Sequence, residues 1–352
     1  MRKLTIQMIA DMAGVSKATV SRVINNRPSV SEKTRRKVQE IIEKYNYVPN
    51  IFAQALNLKR SQTVGLVTTE ITNIVTAEIA SVIERTTKEK GYTLILCLTE
   101  GNVQEEISHV RSLCERKVDG MIIIHAGSTD KKEETMHLFQ LKEYGIPFVL
   151  VCDPIPGLET DYVLLDHERG AYDAVKHLLE LGHRKIGYIS GPKGLYTEVA
   201  RFEGYKKALK DYGVKVDKRL VREGGYGLEE GYRAAIDLLS IRDRPSAIFA
   251  FNDMEAIGVL RAAKEMGIAV PKELAVVGTD DVRIAPLLEV PLTTVSFPKK
   301  VIGQTAVDLL LGQIEAKDSP RLDRGFRKVH IGHYLVIRES CGARLRSGIT
   351  PP

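Results

Sequence analysis

T-I-Q-M-I-A-D-M-A-G-V-S-K-A-T-V-S-R-V, from Thr5 to Val23, is the stretch whose reading fixes the start of the chain. Ile6, Ile9, Ala10 and Ala13 recur at the spacing of one helical face, and Thr5 stands where a side-chain oxygen can accept from the first free amides. Gly14 can take the left-handed backbone that ends such a helix. Ser16 can then cap a second helix, with Val20, Val23 and Ile24 facing inward and Lys17, Ala18, Thr19, Ser21 and Arg22 outward. Two short helices around so tight a break form a helix-turn-helix, a motif whose second helix enters the DNA major groove.

Charge agrees with this reading. Residues 1–60 hold 12 Lys/Arg against four Asp/Glu, a net of +8, while the whole chain is +6, so residues 61–352 carry −2. Basicity confined to one segment is the footprint of a phosphate-binding surface. Ser31 can cap a third helix with Val38, Ile41, Ile42 and Tyr45 as its apolar stripe, after a loop from Asn25 to Val30. Beyond Tyr47-Val48-Pro49-Asn50, the stretch Ile51–Leu58 has room for one or two helical turns, too few to be stable alone. It fits either a linker or a hinge that folds only when two copies meet on DNA, with Leu56 as a minor-groove wedge.

From Val64 the pattern changes to short β-branched runs alternating with amphipathic stretches. Strands are expected at 64–68, 93–98, 119–124, 148–152, 162–166, 185–190, 247–251 and 274–278, with helices near 76–90, 103–116, 131–144, 168–182, 198–213, 228–239 and 253–267. Alternating βα units with apolar strands imply parallel sheets covered on both faces, and this many strands fit two α/β subdomains better than one sheet. Ligands of such sheets lie beyond the carboxyl ends of the strands, which selects Asn73, His125, Asp153, Asp166, Ser190, Asn252, Asp253, Asp280 and Asp281. These acids and amides suit a polar ligand held by hydrogen bonds. His125 fits a ligand contact or a hydrogen-bonded structural imidazole equally well, while Asp253 and Asp281 could instead cap helices, as could Thr197.

The bulk properties exclude several classes. No apolar run approaches 18 residues, and the chain moves from M-R-K-L-T-I straight into the capped helix with no secretory segment, so a cytoplasmic protein without a membrane partner is expected. Cys97, Cys114, Cys152 and Cys341 are scattered without a C-x-x-C pair, and neither a metal site nor a cofactor is expected. The absence of a phosphate-binding G-x-x-x-x-G-K-[ST] loop, of G-x-G-x-x-G after a strand and of a nucleophile elbow argues against an enzyme such as a sugar kinase. A transporter's solute receptor would share the α/β body but not the basic head.

Taken together, the Thr5–Val23 signature, V-S-E-K-T-R at 30–35, Y-V-P-N at 47–50, L-G-H-R-K-I at 181–186, S-G-P at 190–192, N-D-M-E-A-I-G at 252–258, V-V-G-T-D-D at 276–281 and L-V-I-R-E-S at 335–340 resemble the LacI/GalR family of bacterial transcription regulators. The resemblance covers almost the full chain. It implies a helix-turn-helix domain over 1–49, a hinge over 50–60, an effector-binding and dimerising body of type I periplasmic-binding-protein fold over 61–340, and a flexible tail over 341–352. It also implies a repressor whose affinity for a pseudo-palindromic operator is set allosterically by a small molecule, a sugar or sugar derivative, and which works as a homodimer.

Carried onto this chain, the resemblance places Thr5, Ser16, Lys17, Ala18, Thr19, Ser21, Arg22 and Asn25 at the operator, with Lys17, Ala18 and Arg22 reading bases. Asn50, Ala53 and Leu56 would belong to the hinge helix. Thr197, Arg201, Tyr226, Asn252 and Asp280 would contact the effector. Val75, Thr76 and Thr279 depart from the family's pattern, standing where aromatic residues are frequent.

Overall fold

The computed structural model describes residues 4–24, 28–45, 47, 60–318 and 325–343. The chain divides into two compact units, residues 1–62 and 63–352.

In the first unit, helix α1 spans Ile6–Ala13, α2 Lys17–Ile24 and α3 Glu32–Lys44. The Thr5 hydroxyl accepts from the Met8 amide at 3.3 Å, and Gly14, at φ 65°, returns its N–H to the α1 carbonyls. The Ser16 hydroxyl accepts from the Thr19 amide at 3.1 Å, and Ser31 caps α3 through the Thr34 amide. Ile9, Ala10, Ala13, Val20, Val23 and Val38 form one small buried core. The expected stripe of α3 ends sooner than its periodicity suggests. Tyr45 is the C-cap residue and is 49% exposed, and Tyr47 packs against the core instead.

The second unit holds two six-stranded sheets. Strands β1 (Thr63–Thr68), β2 (Thr93–Leu98), β3 (Gly120–Ile123), β4 (Phe148–Cys152), β5 (Asp161–Leu165) and β11 (Lys328–Ile331) form a wholly parallel sheet in the order β11-β5-β4-β3-β1-β2. Strands β6 (Ile186–Ser190), β7 (Val221–Glu223), β8 (Ala247–Ala250), β9 (Ala275–Thr279), β10 (Thr293–Ser296) and β12 (Tyr334–Val336) form the other, ordered β12-β10-β9-β8-β6-β7. Only β12 runs antiparallel there. Central strands such as β3 and β8 are buried along their whole length, because helices cover both faces. The helices are α4 (Ile74–Glu89), α5 (Val103–Glu115), α6 (Lys132–Glu143), α7 (His167–Glu180), α8 (Tyr196–Asp211), α9 (Leu228–Leu239), α10 (Asp253–Glu265) and α11 (Lys299–Asp318). None among the described residues is long and apolar enough to cross a membrane.

The chain passes between the sheets three times: from β5 into α7, from β10 into α11, and from β11 into β12. Each crossing contributes one ring to a common cluster. His167 meets the edge of Phe297 at a centroid distance of 5.2 Å, and Phe297 meets His333 at 5.9 Å. The cleft between the two subdomains opens beside this joint.

Candidate functional site

The first unit presents the outer face of α2. Lys17, Ala18 and Arg22 are exposed, Thr19 and Ser21 half-buried, and Val20 and Val23 lie in the core beneath them. Thr5 and Ser16 are exposed and hold the N-termini of their helices, so each has a structural task besides any contact with a partner. Lys33, Arg36, Lys37 and Lys44 on α3 add exposed cations. Asn25, Asn50, Ala53 and Leu56 lie outside the described residues, as do most of the expected hinge and residues 344–352 of the expected tail.

In the second unit, Thr197, Arg201, Tyr226, Asn252 and Asp280 all line one cleft of about 400 Å³ between the subdomains. Arg201 comes from α8, whose R-F-E-G-Y run works residue by residue. A Cβ on Gly204 would fall 2.1 Å from the Glu168 carbonyl oxygen, so only glycine lets α8 approach α7 this closely. Tyr205 donates its hydroxyl to the Ile186 carbonyl at the start of β6. Arg201 is thereby held inward at 6% exposure, far from a surface arginine. Its Nη1 donates to the Phe251 carbonyl at 2.5 Å, its Nη2 lies 3.4 Å from Asp280 Oδ1 and 3.5 Å from His167 Nδ1, and its guanidinium rests 4.4 Å over the Phe251 ring.

Asn252 is oriented from both ends: its Oδ1 accepts from the Glu255 amide at 2.8 Å, and its Nδ2 donates to the Tyr226 carbonyl at 2.9 Å. Tyr226 is 43% exposed and meets Phe251 edge-on at 6.1 Å. Asp280 adopts φ 118°, rarely populated by non-glycine residues, with its N–H donated to the Val295 carbonyl at 2.7 Å. Lys299 donates Nζ to the carbonyls of Asp280 and Asp281.

Burial pushes the Asp153 carboxyl up to about 7, with His125 and Arg201 pulling it down. Burial also raises Asp280, against Arg201 and Lys299. It drives His167 well below the ordinary imidazole value, and Arg201 adds to that effect. Four buried polar atoms have no protein partner here: Asp153 Oδ1, His125 Nε2, His167 Nε2 and Arg201 Nε.

The strand-end rule therefore brings Asn73, His125, Asp153, Asn252 and Asp280 to the cleft, but not its other four residues. Asp166 caps α7 through the Arg169 amide at 2.9 Å. Asp253, fully buried, holds the following loop by accepting from the Val282 amide and the Thr294 hydroxyl. Asp281 pairs with Arg338 at 2.6 Å, and Ser190 donates to the Gly191 carbonyl. Thr197 does not cap α8, whose N-cap residue is Leu195. Val75 and Thr76 line the cleft, while Thr279 is buried outside it. Its aromatic walls, Phe251 and Phe297, escaped the sequence reading, as did His167. Their only signal is position, immediately after β8 and β10 and at the first crossing.

Residues 5–50 match the family profile described as bacterial regulatory proteins, lacI family, and residues 175–341 match the periplasmic binding protein-like domain. The HTH-type transcriptional regulator DegA of Bacillus subtilis is 38% identical, with 96% of this chain and 98% of that protein aligned. The chain belongs to the LacI family. Another relative, the HTH-type transcriptional repressor PurR of Photobacterium profundum, is 34% identical over 96% of this chain and 98% of its own. Among solved structures, the lac repressor dimer bound to operator and the anti-inducer ONPF superposes with a TM-score of 0.83 at 27% identity, covering 97% and 99% of the two chains. The transcriptional regulator CelR–cellobiose complex gives 0.71 at 31% identity, covering 96% and 99%. These similarities set this LacI-family chain among transcriptional regulators rather than enzymes, and its body is the type I periplasmic-binding-protein fold.

Proposed function

We propose that this LacI-family protein is a repressor that grips a pseudo-palindromic operator as a homodimer and adjusts that grip when a neutral, polyhydroxylated small molecule such as a sugar occupies the cleft. The observation that carries the ligand class is the engagement of the cleft's buried cations by protein acceptors. Lys299 is engaged by the backbone of Asp280 and Asp281, and Arg201 faces Asp280 and the Phe251 carbonyl, while the exposed Lys193 pairs with Glu223 at the rim. Among the described residues of the cleft, the buried cations Arg201 and Lys299 already face protein acceptors, whereas Asp153 and Asp280 offer acceptors to hydroxyl donors, which favours a sugar over a sugar phosphate. Phe251 and Phe297 supply apolar faces for the carbon skeleton, and about 400 Å³ lies within the range of small-molecule sites.

Lys17, Ala18 and Arg22 are the base readers in this account, with Thr5, Ser16, Thr19, Ser21 and Asn25 along the operator. The hinge residues Asn50, Ala53 and Leu56 enter the minor groove. Because Phe297, His167 and His333 join all three crossings beside the cleft, a ligand held there acts where the two subdomains of the body meet.

A thermal-shift screen of the full chain against sugars, sugar phosphates and purines tests the ligand class, since a ligand that binds only the native form raises its melting temperature. Stabilisation by a neutral sugar and not by its phosphate is expected. Stabilisation by purines alone, or by phosphates alone, refutes the sugar reading.

A further inference from the structure

Tyr226 reaches the cleft from a loop whose composition does nothing to fix it. Gly224-Gly225-Tyr226-Gly227 joins β7 to α9, and its three glycines leave the backbone free to take many shapes. Three hydrogen bonds tie it down. The Gly224 N–H donates to the Ser190 carbonyl at 2.9 Å, the Gly225 N–H donates to Glu255 Oε1 at 2.6 Å, and the Tyr226 carbonyl accepts from Asn252 Nδ2 at 2.9 Å. Two of these partners stand at the start of α10, where Asn252 is the N-cap residue and accepts from the Glu255 amide. The helices α9 and α10 meet there backbone to backbone, since a Cβ on Gly231 would collide with the Glu255 main chain.

Packing alone does not call for an acid at 255. Glu255 is fully buried, and its Oε2 has no hydrogen-bond partner among the described residues. Taking a carboxyl out of water with half of its hydrogen bonding unmet costs stability, and an apolar side chain of the same size would fill the space without that cost. What Glu255 adds is the acceptor for Gly225. The fit is mutual, because any side chain at position 224 would collide with Glu255 Oε1.

We infer that Glu255 is a positioning residue for the effector site: through the Gly225 amide it fixes the loop so that the Tyr226 ring stands at the cleft wall, edge-on to Phe251. The inference rests on the cleft being the effector site. Phe251, Asn252 and Glu255, one short stretch after β8, then hold the ring, the carbonyl and the preceding amide of Tyr226. Arg201 takes its position from the same stretch, donating to the Phe251 carbonyl and lying over the Phe251 ring. Two effector residues from different helices and loops thus share one support.

Gly224-Gly225 is the only Gly-Gly pair in the chain, so glycine labelled with 15N and with 13C at its carbonyl gives a single amide signal correlated to a preceding labelled carbonyl, that of Gly225. The test reads its hydrogen exchange by NMR in the free, full-length protein. A second signal is the 19F resonance of Tyr226 in protein carrying 3-fluorotyrosine, assigned by Tyr226→Phe. Glu255→Met keeps the volume and removes the acceptor. It should speed exchange at Gly225 by about tenfold or more, as expected for one buried hydrogen bond, and move the Tyr226 resonance while that of Tyr162 in the other subdomain stays in place. Burial pushes the Glu255 carboxyl up to about 8, with the Gly225 amide and Arg201 pulling it down. Mostly protonated at pH 7, it has a close neutral copy in glutamine, so Glu255→Gln should keep both signals at their wild-type values.

Exchange as slow in Glu255→Met as in the wild type, or an unmoved Tyr226 resonance, overturns the inference. So does a Glu255→Gln protein that behaves like Glu255→Met. If both signals respond as stated while no sugar in the thermal-shift screen stabilises the protein, the role of Glu255 stands and the sugar reading falls.

Discussion

Arg201→Ala separates the two units most sharply. The guanidinium is 6% exposed and is shared among the Phe251 carbonyl, the Asp280 carboxylate, His167 and the Phe251 ring. Hydrogen bonds to charged groups contribute roughly 1.5–3 kcal/mol each, but the one to Asp280 is long, so a loss of about 2–3 kcal/mol is expected. At roughly 2 °C or more per kcal/mol for a body of this size, the melting temperature should fall by about 4–8 °C.

Asp280 is already raised by burial, and losing Arg201 raises it further. An aspartate whose folded pKa lies above its unfolded value loses stability as pH climbs from the unfolded toward the folded pKa. The variant's deficit should therefore be larger at pH 8 than at pH 5. Effector affinity should drop on the order of 100-fold, equivalent to about 2.8 kcal/mol, with operator binding by the separate first unit retained. Fluorescence anisotropy with labelled operator, run with and without effector, reads both. An effector response equal to that of the wild type would remove Arg201 from the site.

Leu56→Ala should weaken operator binding while leaving nonspecific DNA binding nearly unchanged, and equal losses in competition assays would refute the wedge. Arg22→Ala should relax base preference at one position by about 1–3 kcal/mol, visible when operator variants are compared; a uniform loss across all variants would make Arg22 a phosphate contact. Gly204→Val puts a side chain against the Glu168 carbonyl, so α8 must shift and carry Arg201 with it. Effector binding should then fail in calorimetry although the head still binds DNA, and an unaltered effector affinity would show that the close approach of α7 and α8 does not position Arg201.

Much of the fold is legible because apolar runs and turn residues mark the elements of both units. What escaped depends on tertiary contacts. β10, T-T-V-S, is not among the expected strands, yet all four of its residues are buried, with threonine hydroxyls satisfied from outside the strand. Thr294 donates to Asp253, and Thr293 Oγ1 accepts from the Arg338 amide. β7, β11 and β12 are three or four residues long and exist only through their partner strands. In α11 the run Leu309-Leu310-Leu311 obscures an amphipathic period, since the helix packs between α4 and a sheet.

The cleft divides in the same way. Acids and amides at strand ends are visible in sequence, but whether one faces ligand or framework is decided by distant neighbours, as Thr294, 41 residues away, decides for Asp253 and Arg338, 57 residues away, for Asp281. Of the two readings open for His125, the structure shows the hydrogen-bonded imidazole: Nδ1 is bonded to buried Glu106, and the ring is 1% exposed.

Everything here depends on occupancy of the cleft altering the grip of the basic head on DNA. The direct measurement is the Kd of the full-length protein for an operator selected from random duplexes, taken without ligand and with a sugar shown by thermal shift to saturate the cleft. A change of roughly 5–150-fold, the 1–3 kcal/mol of coupling between distant sites, is predicted, along with a steep fall of affinity with salt. An operator Kd that stays the same with the cleft demonstrably full would contradict the account.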